Sequence, residues 1–336
     1  DSFTVLTEQE GLSVPEAVEQ RAVQAGCERP RAEPGARERE KARESRHDVM
    51  EQAARFFEAR LQARGGAHAR GYLSDRGLSP AIIARFRIGF APAGRYGLKE
   101  HLGKEGVSVE QMVAAGLLVS GEDIAVPFDR FRERIMFPIL DLRGRVVAFG
   151  GRALSPEARA KYLNSPETAL FHKRSMLYNA QGARAAAHEK GAVVAVEGYM
   201  DVIALAQAGI ANAVAPLGTA LTGEQIQLLW RLADEPVLCF DGDAAGLKAA
   251  YRAVDEALAL LTPGKSLSFA LLPEGLDPDD LVRAEGKGAM EAVLGRALAL
   301  VDMIWQREVE GQELSTPERR AALEKRLRQI VRQIGD

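Results

Sequence analysis

From residue 192 onward, short apolar segments alternate with longer amphipathic ones, and this alternation limits the folds open to the chain. The apolar segments are AVVAV, NAVA, VLCF and LSFALL, and the stretches between them carry apolar residues at helical spacing. Strands that alternate with helices in this way are typical of βαβ units, in which the strands run parallel. The sequence therefore predicts an α/β fold with a parallel sheet in this part of the chain.

The residues before 192 predict a lobe of mixed helices and strands. Two apolar runs between Ile135 and Gly150 flank a glycine-containing turn, which indicates a β-hairpin. Apolar residues at helical spacing predict a helix from Val49 to Leu61, and a second helix is expected to begin at Ser79-Pro80. A short helix is also expected from Ser13 to Gln24. Beyond Gly286 the apolar spacing is again helical, which predicts a helical carboxy-terminal segment.

Composition excludes several classes of protein. Of the 336 residues, 46% are hydrophobic and 27% are charged, as in an ordinary globular chain. No apolar run approaches the roughly 18 residues that a membrane-spanning helix needs. Two cysteines, Cys27 and Cys239, are too few for a disulfide framework or a structural zinc site. We therefore expect a soluble cytoplasmic protein without a membrane partner.

Charge is distributed unevenly along the chain. Residues 130–174 contain ten Lys or Arg against four Asp or Glu, whereas residues 192–285 contain five against fourteen. A basic surface beside an acidic one is expected where phosphates are gathered next to metal ions. Two solvated faces of unequal sign would give the same counts, so charge alone does not decide between these interpretations.

Acidic residues follow the predicted strands. Because ligands bind at the carboxyl ends of parallel strands, we expect these side chains to share one crevice. Carboxylates so close together repel, and hard divalent cations such as Mg²⁺ compensate that repulsion. Each acid alone could be a turn or helix-cap residue, but their joint occurrence after three strands favours a metal site. The acids concerned are Glu197, Asp201, Asp241, Asp243, Asp277, Asp279 and Asp280.

Two other kinds of site are disfavoured. No histidine accompanies these acids, which argues against a zinc hydrolase. The sequence also lacks the Gly-rich Lys-Ser/Thr loop of P-loop proteins, so a P-loop ATPase or helicase motor is not supported.

The segments that carry the acids resemble a known family. EGYMD, PLGTALT, FDGDAAGLKAA and LPEGLDPDDLV occur in the order of the Toprim region shared by bacterial replicative primases and type IA topoisomerases. RFRERIMFPILDLRGRVVAFGGR and KYLNSPETALFHK resemble the DnaG-type primases specifically. The resemblance covers Tyr72 to Glu285. It implies the RNA polymerase domain of a primase, which makes RNA primers on single-stranded DNA from NTPs with Mg²⁺ or Mn²⁺.

The resemblance also implies roles for individual residues. The metal ligands would be Glu197, Asp201, Asp241, Asp243, Asp277 and Asp279, of which Glu197, Asp241 and Asp243 would be catalytic. Glu197 could be a ligand or a proton acceptor. Nucleic acid or NTP would be bound by Arg76, Arg152, Lys161, Asn164 and Lys173. Tyr162 and Phe171 either offer a stacking surface for single strands or belong to the core.

The implied domain organisation has five parts. Residues 1–29 would follow a zinc-binding domain, 30–48 would be a linker, 49–190 an α/β lobe with a basic face, 191–286 a Rossmann-like Toprim catalytic domain, and 287–336 a helical segment. The family's zinc-binding and helicase-binding domains are expected to lie outside this sequence, so no zinc is expected here. The expected partners are single-stranded DNA, NTPs and the RNA primer, with the replicative helicase docking only through the absent domain.

Two alternative functions remain open. A Toprim nuclease or topoisomerase would use the same acids to cleave DNA, but none of the six tyrosines lies in a recognisable nucleophile motif. A nucleic-acid-binding module with a non-catalytic acidic cluster is the second alternative.

Overall fold

The computed structural model describes residues 36–218 and 220–334. The chain divides into two compact units, residues 1–44 and 45–336, and the described part of the first is the beginning of helix α1 (Ala36–Gln62). The helix predicted at Ser13–Gln24 lies outside the described residues. Residues 36–48, predicted to be linker, are helical, which corrects that prediction. Their many Ala, Arg and Glu residues are strong helix formers and outweigh the mixed charge.

The amino-terminal lobe is built on a four-stranded antiparallel sheet in the order β1-β4-β5-β6. Strands β4 and β5 form the predicted hairpin, and Ser79 caps the predicted helix α3 by accepting a hydrogen bond from the Ile82 N–H. The elements are α2 (Ala67–Asp75), α3 (Pro80–Arg85), β1 (Gly89–Ala91), α4 (Gly97–Lys104), α5 (Val109–Ala114), β2 (Leu118–Val119), β3 (Phe128–Asp129), β4 (Arg134–Leu140), β5 (Val146–Ala153) and β6 (Tyr162–Asn164).

The second sheet has six strands in the order β12-β11-β10-β8-β9-β7. Its four central strands are parallel, as predicted, and the edge strands β12 and β7 are antiparallel to their neighbours. The elements are β7 (Leu177–Tyr178), α6 (Ala180–Lys190), β8 (Val194–Ala195), α7 (Tyr199–Gln207), β9 (Ala213–Pro216), α8 (Gly223–Trp230), β10 (Val237–Gly242), α9 (Ala244–Leu258), β11 (Ser268–Glu274) and α10 (Pro278–Glu285).

The carboxy-terminal segment is mainly helical, as predicted. It comprises α11 (Lys287–Leu294), α12 (Leu300–Val309) and α13 (Pro317–Val331). The edge strand β12 (Leu298–Ala299) was not predicted, because two residues are too few to show an alternating pattern. Among the described helices, none combines the length and the apolar character needed to cross a lipid bilayer.

Helix α7 lies between the two sheets and is buried on every side. All residues from Tyr199 to Ala206 are buried, and the core around them includes Phe137 of the first sheet and Val194 of the second. A helix that is apolar all round is stable only inside a protein, where neighbours cover each face. The two sheets therefore share one hydrophobic core, which fixes the walls of the site described next.

Candidate active site

A cavity of about 620 Å³ opens at the carboxyl ends of β8 and β10. From β8 the chain continues to β9 on one side of the sheet, and β10 and β11 lie on the other side. Such a reversal leaves a crevice at the sheet edge where ligands bind in α/β proteins. The cavity joins an acidic wall (Glu197, Asp201, Asp241 and Asp277) to a basic wall (Arg76, Arg152 and Lys161), and Asn164 also lines it.

Asp241 lies at the centre of the acidic wall. Burial, followed by the charges of Glu197, Asp277, Asp243 and Asp280, raises the pKa of Asp241 to about 7. Its Oδ1 atom is buried and accepts no hydrogen bond from any described residue. A carboxylate that lacks both a donor and a counter-charge is stabilised by a cation.

Asp201 and Glu197 flank Asp241. The Asp201 Oδ2 atom accepts a hydrogen bond of 2.9 Å from the Gly198 N–H, and burial, with the charges of neighbouring aspartates, raises the pKa of Asp201 well above its usual range. Solvent reaches Glu197 at the mouth of the cavity, where its Oε1 atom accepts a 3.3 Å hydrogen bond from the Asp241 N–H. Partial burial and the charge of Asp243 raise the pKa of Glu197.

Asp243 and Asp277 are both helix caps. Asp243 accepts a 2.7 Å hydrogen bond from the Gly246 N–H at the start of α9, and Asp277 accepts one of 2.7 Å from the Asp280 N–H at the start of α10. The capping interpretation of these two residues is therefore confirmed. Capping uses one oxygen of each carboxylate and leaves the charge in place, so it does not exclude a second role.

Asp279 does not line the cavity, and its side chain is only 1% exposed. Its Oδ2 atom lies 2.7 Å from Arg76 Nη1, and its Oδ1 atom lies 3.7 Å from Arg283 Nε. Burial raises the pKa of Asp279, and the two arginines oppose that rise. Carboxylate oxygens of Asp277, Asp279 and Asp280 lie within 4.8 Å of one another, which is close enough to share a metal ion.

These donors fit a hard divalent cation. Every candidate ligand atom is a carboxylate oxygen, the type that Mg²⁺ and Mn²⁺ prefer. The unpartnered Asp241 oxygen and the raised pKa values show that protein cations do not neutralise the acidic wall. Cys239 lies behind it, but burial raises the pKa of that thiol to about 12, so it stays protonated and does not supply a thiolate ligand.

The raised pKa values predict how the stability of the metal-free protein depends on pH. An unfolded aspartate titrates near pH 4, whereas Asp241 in the folded chain titrates at about 7, so the folded chain binds more protons between these values. Stability therefore falls as pH rises through this window. In EDTA we expect a lower Tm at pH 8 than at pH 6, and a larger increase on adding MgCl₂ at pH 8. Thermal unfolding followed by circular dichroism measures both.

The variant Asp241→Asn separates this effect from other titrations. Because asparagine carries no charge, the difference in Tm between pH 6 and pH 8 should shrink in the variant. An identical difference in the variant and in the wild type would show that Asp241 does not titrate as described.

On the basic wall, aromatic rings hold Arg152 in place. Its guanidinium carbon lies 5.4 Å from the ring centre of Tyr72 and 5.3 Å from that of Tyr162, and Nη1 donates a 2.6 Å hydrogen bond to the Tyr162 hydroxyl. Lys161 is exposed at the rim, and its side chain has no hydrogen bond or ion pair among the described residues. A lysine without a partner beside a cavity can bind a phosphate directly.

The structure does not bring every predicted basic-face residue to the cavity. Lys173 lies in a short 3-10 turn outside it. Phe171 is fully buried, so the interpretation as a stacking surface is wrong for this residue and the core interpretation is right. Asn164 lines the cavity, but its amide is engaged: Nδ2 donates to the Leu217 carbonyl and Oδ1 accepts from the Tyr199 hydroxyl.

Sequence reasoning missed Arg252. It lies on α9, lines the cavity together with Ala245 and Ala249, and lowers the pKa of Glu197 by its charge. Residues 245, 249 and 252 are spaced four and three apart, so they share one helix face. That spacing, with two small side chains facing an acidic crevice, is the signal that would have identified it.

Comparisons with known proteins agree with this geometry. Residues 56–184 match the DNA primase catalytic core, N-terminal domain, and residues 191–270 match the Toprim domain. A DNA primase of Pseudomonas aeruginosa is 45% identical over 317 residues, which cover 93% of this chain and 48% of that protein. A DNA primase of Escherichia coli K12 is 46% identical over 281 residues, covering 84% and 48%. The chain spans about half the length of these curated relatives.

Solved structures give the same result. A DNA primase domain from Pseudomonas aeruginosa superposes with a TM-score of 0.82 at 44% identity, over 86% of this chain and 90% of that one. A DnaG primase catalytic domain bound to ssDNA gives 0.81 at 44%, over 88% and 92%. The RNA polymerase domain of Mycobacterium tuberculosis primase DnaG, in complex with double-stranded DNA, gives 0.74 at 36%, over 87% and 93%. The chain therefore belongs to the family of DnaG-type primase catalytic cores.

Proposed function

We propose that this chain is the RNA polymerase domain of a replicative primase, which makes RNA primers on single-stranded DNA from NTPs. The observation that carries the proposal is the cavity in which an acidic wall faces a basic wall. Phosphates of a template and a nucleotide need the basic wall, and the chemistry of phosphoryl transfer needs the acidic one. The match to the primase N-terminal domain favours this function over a nuclease or topoisomerase.

The acidic wall would hold Mg²⁺ or Mn²⁺ through Glu197, Asp201, Asp241 and Asp277, with Asp243 and Asp279 at its edge. Bound divalent cations would offset negative charge on the entering and leaving oxygens of the transfer. Glu197, at the mouth of the cavity, is placed either to complete the ligand set or to accept the proton of the attacking 3′-hydroxyl.

The chain's cations position the nucleic acid and the nucleotide. Arg152 is held by two tyrosine rings, so its guanidinium is oriented before a phosphate arrives. Lys161 at the rim would contact phosphates of the template or the NTP, and Lys173 would contact them outside the cavity. Other proposed partners are the RNA primer and, through a further domain, the replicative helicase, in the cytoplasm at the replication fork.

One assay separates the candidate functions. The chain is incubated with single-stranded DNA, labelled NTPs and Mg²⁺ or Mn²⁺, with and without an annealed RNA primer, and an EDTA sample is the control. We expect cation-dependent RNA synthesis, faster with the primer, because a covalently joined primer removes the entropy cost of holding two separate nucleotides. DNA cleavage would favour the nuclease alternative, and binding without any product would favour the non-catalytic one.

The variant Lys161→Ala should weaken binding of single-stranded DNA in a salt-dependent way. Losing one phosphate contact releases fewer counterions, so the slope of log affinity against log salt should fall by about 0.7. Fluorescence anisotropy over a salt series measures it. Lys104→Ala, which removes an exposed lysine outside the cavity, is the matched control and should leave the slope unchanged. Equal slopes for both variants would place the DNA elsewhere.

A further inference from the structure

Tyr199 joins the acid-bearing turn to the sheet of the amino-terminal lobe. It opens helix α7, two residues after Glu197 and two before Asp201, and its side chain is buried. Its ring is stacked on that of Phe137, with ring centres 5.2 Å apart and planes inclined by 4°. The edge of Tyr178 closes the other side, with ring centres 4.7 Å apart. The ring is therefore held by rigid neighbours.

Strand β5 has a gap that accommodates this ring. A Cβ atom at Gly150 would lie 2.5 Å from the Cζ atom of Tyr199, closer than any ordinary contact. Gly150 is two residues before Arg152, which belongs to the basic wall. The absence of a side chain at Gly150 thus lets the acid-bearing turn approach the strand that carries Arg152.

Hydrogen bonds complete the connection. The Tyr199 hydroxyl donates to Asn164 Oδ1 at 2.8 Å, and Asn164 Nδ2 donates to the Leu217 carbonyl at 2.8 Å. Asn164 ends strand β6, three residues after Lys161. Leu217 follows β9 and lines the cavity. One side chain of the basic wall is therefore bonded to two segments of the parallel sheet.

We propose that Tyr199 and Asn164 form a positioning pair that fixes the spacing between the acidic and basic walls. The inference rests on the proposed function, because that reaction needs both walls at once. The acidic wall would hold the reacting phosphate, and the basic wall would hold the strand and the nucleotide. A misplacement of about 1 Å can cost roughly 100-fold in rate. The amide of Asn164 acts on the protein itself rather than on the nucleic acid.

Conservative variants test the pair. Tyr199→Phe removes one hydroxyl and keeps the ring, and Asn164→Leu removes both amide hydrogen bonds. Tyr178→Phe is the matched control, because the Tyr178 hydroxyl lies in the same aromatic cluster but has no hydrogen-bond partner among the described residues. Each variant is assayed for primer extension, for Mn²⁺ affinity as a measure of the acidic wall, and for single-stranded DNA affinity as a measure of the basic wall.

We expect Tyr199→Phe to lower kcat for extension by about tenfold, a fraction of the loss that a full 1 Å displacement gives. The affinities for Mn²⁺ and for DNA should stay within about twofold of wild type, because each wall is intact by itself. The double variant should be no slower than Asn164→Leu alone, since both changes break the same connection. Tyr178→Phe should match the wild type.

Three results would overturn the inference. In the first, Tyr199→Phe is as active as an active wild type, which removes the positioning pair but leaves the proposed function standing. In the second, the loss of kcat is matched by an equal loss of Mn²⁺ or DNA affinity, which indicates a structural role only. In the third, the wild type makes no RNA, which overturns the proposed function and this inference together.

Discussion

Asp241→Asn should reduce RNA synthesis by roughly 100-fold or more while leaving the fold intact. The change removes the charge of the central carboxylate but almost no volume. Loss of one preorganised group that stabilises charge in the transition state has effects of this order. Extension of an annealed RNA primer, measured with saturating NTPs and MgCl₂, gives the rate.

The same variant should be more stable than the wild type without metal at pH 8. Neighbouring carboxylates raise the pKa of Asp241, so removing its charge relieves repulsion in the folded chain. The stabilisation by MgCl₂ should decrease, because a ligand is lost. Asp302→Asn, at an exposed aspartate of α12, is the matched control and should change neither activity nor Tm. An Asp241→Asn chain that keeps half the wild-type rate would contradict a catalytic role for Asp241.

Arg76→Met should destabilise the protein by about 3 kcal/mol, as expected when one partner of a buried ion pair is removed. Asp279 is only 1% exposed, and its shortest contact with a cation is the 2.7 Å contact with Arg76. Arg283 lies 3.7 Å from the other carboxylate oxygen and compensates only in part. Urea unfolding measures the loss, with Arg85→Met, at an exposed arginine of α3, as the control.

The double variant Arg76→Met/Asp279→Leu distinguishes two roles of Arg76. Removing both charges should recover most of the stability, because no uncompensated carboxylate remains. If Arg76 also binds phosphate, the recovered protein should still synthesise RNA slowly. Full recovery of both stability and synthesis would restrict Arg76 to holding Asp279 in place. An Arg76→Met chain as stable as Arg85→Met would show that the ion pair contributes little.

The parts of the fold that local patterns encode could be predicted. The hairpin from Ile135 to Gly150 and the alternating strands and helices after residue 192 follow from apolar spacing and turn residues, which act over a few positions. The meeting of Glu197 and Asp241 in one cavity followed from a general property of parallel sheets. No knowledge of long-range contacts was needed for these features.

Features set by distant contacts could not be predicted from the sequence. Phe171 lies close to Lys173 in the chain, yet it is fully buried because it packs into the core shared by both sheets. Arg76 and Asp279 are 203 positions apart, so no local pattern relates them. The engagement of Asn164 by Tyr199 and Leu217 likewise depends on how two sheets meet.

The complete burial of α7 has a consequence for how the protein is made. The amino-terminal sheet ends at Asn164, and its apolar side chains, including Phe137, stay uncovered until residues 199–207 leave the ribosome. Exposed apolar surface of this kind attracts chaperones and promotes aggregation during synthesis. Because neither sheet can bury its inner face alone, the two lobes should not survive as separate polypeptides. A split-protein reagent built from this chain would need its break outside the segment that runs from β4 to α7.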